Sequence, residues 1–282
     1  GFNDLESFIL MVFLIPCLTW FTYKLIEQRR TAPIPKLLLA SGLIIMTVFI
    51  AHPLQSIKLS RYPTSDILAY NAMEDRGNFR CGQMQRVFRL IFPMCQISKG
   101  QSENRLLLVG NSHADSIKES FSTVAEASDF SVFFLAGNDA LLEGGMGASE
   151  VFQLVQANEI KSVVIHYSNV FEHEKNVSEI LQFVRLLRAS GVHVAIIGPV
   201  PTFPENVPQS ILDNSAFREG FRPSFRDHMF AKETFWNLYS TFQNEGVVVE
   251  NPASWLCPNK QPCLVRNSLL RPLYFDTHHL TL

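Results

Sequence analysis

Two short blocks in this chain hold the residue types of serine-based acyl chemistry. The first is LLLVGNSHADS (106–116), an apolar run that stops at Gly110 and is followed by Asn111, Ser112 and His113. The second is YFDTHHLTL (274–282), which carries Asp276 and His279 three positions apart. A serine hydroxyl is a weak nucleophile until a base takes its proton. The base is usually an imidazole, held in its useful tautomer by a carboxylate. In a helical turn or tight loop, Asp276 and His279 can face one side. Asp276 then holds one ring nitrogen while the other faces Ser112. Their distance from Ser112 along the chain is no obstacle, because such triads are defined by spatial role.

Each signal also has an ordinary reading. Serine is favoured at helix N-caps, so Ser112 after Gly110 suits a cap as well as a nucleophile. His113 and His278 fit structural and functional roles equally, and Asn169 suits the cap of a turn.

The elements that must position these residues show in the periodicity. Short apolar runs at 105–110, 130–137, 161–169, 192–201 and 247–252 read as strands. Between them, 115–128, 148–159, 176–190 and 225–246 have helical spacing, and Gly191 stops the third helix. This alternation predicts an α/β fold with a parallel sheet flanked by helices. Ligands bind at the carboxyl ends of strands in such sheets. That rim holds Ser112, the Gly137–Asp139 stretch, Ser168 and Asn169. The backbone N–H of Ser112, the Gly137 backbone and the Asn169 amide are the candidate donors to an oxyanion.

Hydrophobic residues make up 47% of the 282 and charged residues only 18%, so membrane segments are expected. Residues 5–26 are mostly apolar, with Glu6 and Lys24 near the ends, and 37–54 carry no charge. Both approach or exceed the about 17 residues that a membrane helix needs. Trp20, Tyr23 and Lys24 suit an interfacial belt. A pair of buried soluble helices is the alternative, and a cleaved signal peptide fits poorly because the charges follow the apolar run. Arg29, Arg30 and Lys36 in the intervening loop place that loop in the cytoplasm, so the chain beyond about residue 55 is expected outside the inner membrane. The chain opens on Gly, as expected for a piece of something longer. A net charge of −2 gives no electrostatic footprint for nucleic acid.

Cys17 falls in the first apolar segment, and Cys81, Cys95, Cys257 and Cys263 fall in the exported part. An even number there suggests two bridges, with Cys81–Cys95 and Cys257–Cys263 the expected pairs among three connectivities. A zinc site competes, without a Cys-x-x-Cys pair to support it. The expected organisation is two transmembrane helices (1–54), a linking extension partly packed on the domain (55–104) and a catalytic domain (105–282).

The blocks GNSHADS and YFDTHHLT together resemble the SGNH (GDSL-like) esterase and acyltransferase superfamily. The ending WLCPNKQPCLVRNSLLRPLYFDTHHLT is similar to that of SGNH domains fused to membrane acyltransferase-3 proteins. WFTYKLIEQRR resembles the closing element of their membrane domain, of which the chain holds only the last helices. The resemblance implies a flavodoxin-like three-layer fold. It also implies O-acylation of a bacterial surface polysaccharide such as lipopolysaccharide O-antigen. Ser112 would be nucleophile, His279 base and Asp276 its orienter, with Gly137 and Asn169 matching the second and third blocks. Asn111 stands where the family usually has Asp, and HYSN only approximates the third block. Acetyl-CoA is implied as the ultimate donor through the membrane domain, with no cofactor or metal held by this part. Implied partners are a polysaccharide acceptor, the remaining membrane domain and the lipid bilayer, with the SGNH domain in the periplasm. The rivals are an esterase with the same triad and a non-catalytic glycan-binding scaffold.

Overall fold

The computed structural model describes Trp20, Lys24 and residues 63–282, apart from 76–79, 83, 85–87, 89–90, 101–102, 169, 218–219, 259–261 and 282. The two expected membrane segments, 5–26 and 37–54, lie outside the described residues. Among the described residues no helix is long and apolar enough to cross a membrane.

Residues 64–282 form one unit, in the order α1 (Thr64–Ala72), β1 (Met94–Ser98), β2 (Arg105–Gly110), α2 (Ser112–Ala127), β3 (Ser131–Leu135), α3 (Ala148–Ala157), β4 (Ser162–His166), α4 (Glu174–Ala189) and β5 (His193–Ile197). Then follow α5 (Val207–Leu212), a 3-10 turn (Ser215–Phe217), α6 (Phe225–Ala231), α7 (Glu233–Asn237), α8 (Tyr239–Asn244), β6 (Val248–Glu250) and α9 (Ala253–Leu256). The strand order across the sheet is β1-β3-β2-β4-β5-β6.

The apolar run of β2 is buried on both faces, as a central parallel strand requires. Leu106 and Leu108 pack with Ala114 and Ala125 of α2, and with Val132 and Phe134 of β3. Leu107 and Val109 face the opposite way, into a cluster with Val151 and Val155 of α3 and Ile180, Phe183, Val184 and Leu187 of α4. Helices thus cover both faces of the sheet. The α4 residues repeat at i, i+3, i+4 and i+7, one stripe of a helix. That helix ends where Gly191 takes φ +75°, which costs glycine little.

The sheet is mixed, where the sequence pattern predicts a parallel one. Strand β1 lies antiparallel to β3 at one edge, with Cys95 opposite Phe134. It comes from the stretch expected as an extension (55–104), and its side chains are mostly half-buried, so it has no apolar alternation to betray it. The 225–246 stretch, expected as one helix, forms three short ones. The breaks fall at Lys232 and Leu238, and Phe235 and Phe242 both lie in the core beside Phe171.

Both expected disulfides are present, Cys81–Cys95 and Cys257–Cys263. The first ties β1 to the residues before it. The second lies in a separate core with Phe203, Val265 and Tyr274, beneath the C-terminal block. Loop-closure entropy assigns about 3 kcal/mol to the 14-residue separation and about 2 kcal/mol to the 6-residue one. A Cys81→Ser/Cys95→Ser variant should therefore unfold at lower urea than a Cys257→Ser/Cys263→Ser variant. Equal midpoints for these and the unsubstituted protein would refute that ranking.

Candidate active site

Chain direction creates the crevice. From β2 the chain crosses to β3 on one side and then to β4 on the other, so β2 is flanked by β3 and β4. Such a reversal opens a cleft at the carboxyl ends of the strands. Gly110 closes β2 opposite His166, and a Cβ there would stand 1.9 Å from the His166 carbonyl oxygen. Only glycine permits that approach, which is why an apolar strand ends in a residue without a side chain.

The next residue, Asn111, is the N-cap of α2, its backbone extended and its Oδ1 accepting from the His113 N–H at 3.1 Å. Asparagine caps such an end as well as serine does, so Asn111 fills the position and Ser112 becomes the first helical residue. Its hydroxyl is free to face the cleft. Asn111 Nδ2 also donates to the Ser168 carbonyl at 3.4 Å, linking the loops after β2 and β4. An aspartate here could cap the helix but could not donate that bond.

The C-terminal block supplies the other two groups from a hairpin tip, not a helical turn. Tyr274 and Leu280 form an antiparallel bridge, and Phe275 N–H donates to the His279 carbonyl. Within the tip, Asp276 Oδ1 accepts the backbone N–H groups of His278 and His279 at 2.9 and 2.8 Å, the turn chemistry expected of Asp. The backbone N–H groups of Phe203 and Val207 donate to the Thr277 and Asp276 carbonyls and fix the tip from outside. Tyr274 packs edge-on to Phe203 beneath it.

The result is a continuous chain of hydrogen bonds. Asp276 Oδ2 lies 2.6 Å from His279 Nδ1, and His279 Nε2 lies 2.7 Å from Ser112 Oγ. With the carboxylate ionised, Nδ1 carries the proton and Nε2 keeps a lone pair for the serine hydroxyl. Burial disfavours the charge on Asp276, but the His279 imidazole and the two backbone donors outweigh it and hold the carboxyl well below the usual carboxylate range. The Phe275 ring stacks on His279, 2° from parallel at 5.2 Å, which limits tilting of the imidazole. Ser112 and His279 are half-buried, so small molecules can reach them.

Of the candidate oxyanion donors, Ser112 N–H sits at the amino end of a 16-residue helix, where the dipole favours negative charge. Gly137 lies two residues past β3, on the same rim. Asn169 lies outside the described residues, and its neighbour Ser168 is buried.

Two residues beside Ser112, His279 and Asp276, namely Arg80 and His166, carry no signal in the sequence. Buried Arg80 donates to the carbonyls of Leu135 at 3.2 Å and Gly110 at 3.1 Å, pinning together the ends of β3 and β2. His166 is buried and its Nδ1 lies 3.1 Å from the Ile197 carbonyl, so this nitrogen carries the proton. Burial pushes its pKa down to about 4. His113 is also buried, its ring centroid 4.6 Å from that of His279 and 5.1 Å from that of His278. Burial and then the neighbouring imidazoles push it down to about 2, so it stays neutral.

Residues 80–282 match a family model described as SGNH domain (fused to AT3 domains). The chain belongs to this SGNH-domain family. The match starts at Arg80, so it takes in the disulfide and the edge strand as well as the triad. One solved structure similar to this SGNH domain is the periplasmic domain of a lipopolysaccharide acetyltransferase from Salmonella ser. Paratyphi A. It shares 15% identity over 65% of this chain and 79% of that chain, with a TM-score of 0.48. No curated protein matches the chain. Family membership supports an acyltransferase- or esterase-type role for the SGNH domain.

Proposed function

We propose that this protein is an O-acyltransferase that modifies a bacterial surface polysaccharide through an acyl-serine intermediate. One observation carries the reading: the unbroken contact from Asp276 through His279 to the hydroxyl of Ser112. Ser112 Oγ attacks the acyl carbonyl carbon while its proton passes to His279 Nε2. Asp276 remains ionised and stabilises the imidazolium. The tetrahedral oxyanion takes the Ser112 N–H at the helix end, with the Gly137 N–H and the Asn169 amide as further donors. The departing group collects the proton from His279. A sugar hydroxyl then gives its proton to His279, attacks acyl-Ser112 and regenerates the serine.

The two disulfides suit an oxidising compartment, which supports a periplasmic place for the domain. Residues 5–26 and 37–54 would anchor it in the inner membrane as the end of an acyltransferase-3 domain. Acetyl-CoA would supply the acetyl group through the rest of that domain, and an O-antigen-like glycan would receive it. Ser112 and His279 are only half-buried, so water can compete with the sugar; an esterase is therefore the second reading.

Intact mass of the full chain after exposure to p-nitrophenyl acetate tests the proposal. One acetyl adduct is expected, absent from Ser112→Ala and discharged faster when an oligosaccharide acceptor is added. Discharge to free acetate at the same rate with and without sugar favours the esterase. An adduct that persists in Ser112→Ala overturns the assignment of the nucleophile.

A further inference from the structure

Besides His279, the cleft holds two imidazoles that acyl transfer does not require. His113, on the first turn of α2, and His278 and His279, on the hairpin tip, bring one ring nitrogen each to within 4.8 Å of one another. Their rings lie in one cluster, with 4.2 Å between the centroids of His278 and His279. His113 is 3% exposed, and its ring packs against those of His166, His278 and His279.

The other two rings are already oriented as ligands. His279 Nδ1 is held by the Asp276 carboxylate and His278 Nδ1 lies 2.6 Å from the Thr277 hydroxyl, which leaves Nε2 of each for a ligand. A carboxylate on the far nitrogen of a histidine is the outer partner commonly found at zinc sites, where it fixes the ring and raises its basicity. Asp276 also offsets the positive amino end of α2, which otherwise opposes a cation. The nitrogens on one tetrahedral ion stand about 3.4 Å apart, so small side-chain rotations close the set.

We propose that His113, His278 and His279 form an inhibitory site for a divalent transition-metal ion of zinc type. Three imidazoles and one open position suit such an ion. Binding takes the Nε2 lone pair of His279, so the ion replaces the hydrogen bond to Ser112 Oγ and the serine keeps its proton. The inhibitory effect rests on the triad reading; the binding does not.

The test uses the full, untagged chain in detergent with both disulfides intact. Zinc chloride is titrated calorimetrically at neutral pH, and p-nitrophenyl acetate hydrolysis is followed with and without the ion. One zinc per chain is expected at this site. Losing an outer partner alone weakens metal sites 10–100-fold, so His278→Gln and His113→Gln should each weaken binding at least about tenfold. Zinc should suppress hydrolysis, and EDTA should restore it. The ratio of activity with zinc to activity without it should rise towards one in His278→Gln. No binding, or binding unchanged in both variants, overturns the site. Binding lost in the variants but without effect on hydrolysis overturns the inhibition. His-dependent binding by a chain with no ester turnover in the absence of zinc upholds the site and counts against the proposed function.

Discussion

Replacing Asp276 with Asn should lower kcat about 10⁴-fold on any acyl substrate, with the fold intact. The backbone N–H groups of His278 and His279 both need an acceptor, so the Asn Oδ1 stays with them. Its Nδ2 then faces His279 Nδ1 and donates where the carboxylate accepted. The imidazole must change tautomer, its proton moves to Nε2, and Nε2 can no longer accept from Ser112 Oγ. The substitution changes no volume and keeps the hairpin bonds, so the loss is one of chemistry. His279→Ala removes the proposed base and should cost at least as much, since triad members act as a unit. Steady-state hydrolysis of p-nitrophenyl acetate, with circular dichroism as a control for folding, checks both. A folded Asp276→Asn variant within tenfold of the parent would rule out the triad.

The second large effect is acid destabilisation by buried histidines. His166 and His228 are both nearly inaccessible, and burial lowers each pKa to about 4. In the unfolded chain both titrate near 6.5. Above that pH they are neutral in either state and full stability is present. Below it the unfolded chain gains protons that the folded chain refuses, so stability falls between about pH 6.5 and pH 4. Each group accounts for about 3 kcal/mol over that interval. His113 extends the loss below pH 4. Asp276 acts in the same lower range, because its depressed pKa supports the fold only while the carboxyl is ionised. Urea unfolding at pH 7, 5.5 and 4 should show the decline. His166→Asn keeps a donor for the Ile197 carbonyl without a titrating ring, so its stability should fall less steeply. Parallel profiles for variant and parent would refute the role of His166.

What was legible in the sequence was mainly local. The buried runs of β2, β3, β4 and β5 are visible because central strands are apolar on both faces, and α4 because its stripe repeats at helical spacing. The pair Asp276 and His279 is visible because one turn joins them, and the two disulfides because their partners are near in the chain. Strand β1 is not visible, since an edge strand is only half-buried and takes its identity from the register with β3. Neither are the breaks at Lys232 and Leu238, since the buried Phe235 and Phe242 stand seven positions apart, the spacing of one continuous helix face.

The site divides in the same way. The sequence determines which groups can react, because hydroxyl, imidazole and carboxylate are properties of single residues and of one short turn. Only the tertiary structure decides that they meet. The 2.7 Å between His279 Nε2 and Ser112 Oγ spans 167 positions, and it depends on Gly110 closing against His166, Asn111 taking the cap, and Phe203 and Val207 holding the hairpin tip. The environment of Arg80, His113 and His166 is likewise set by strands and loops distant in the chain, and no local pattern encodes a long-range contact.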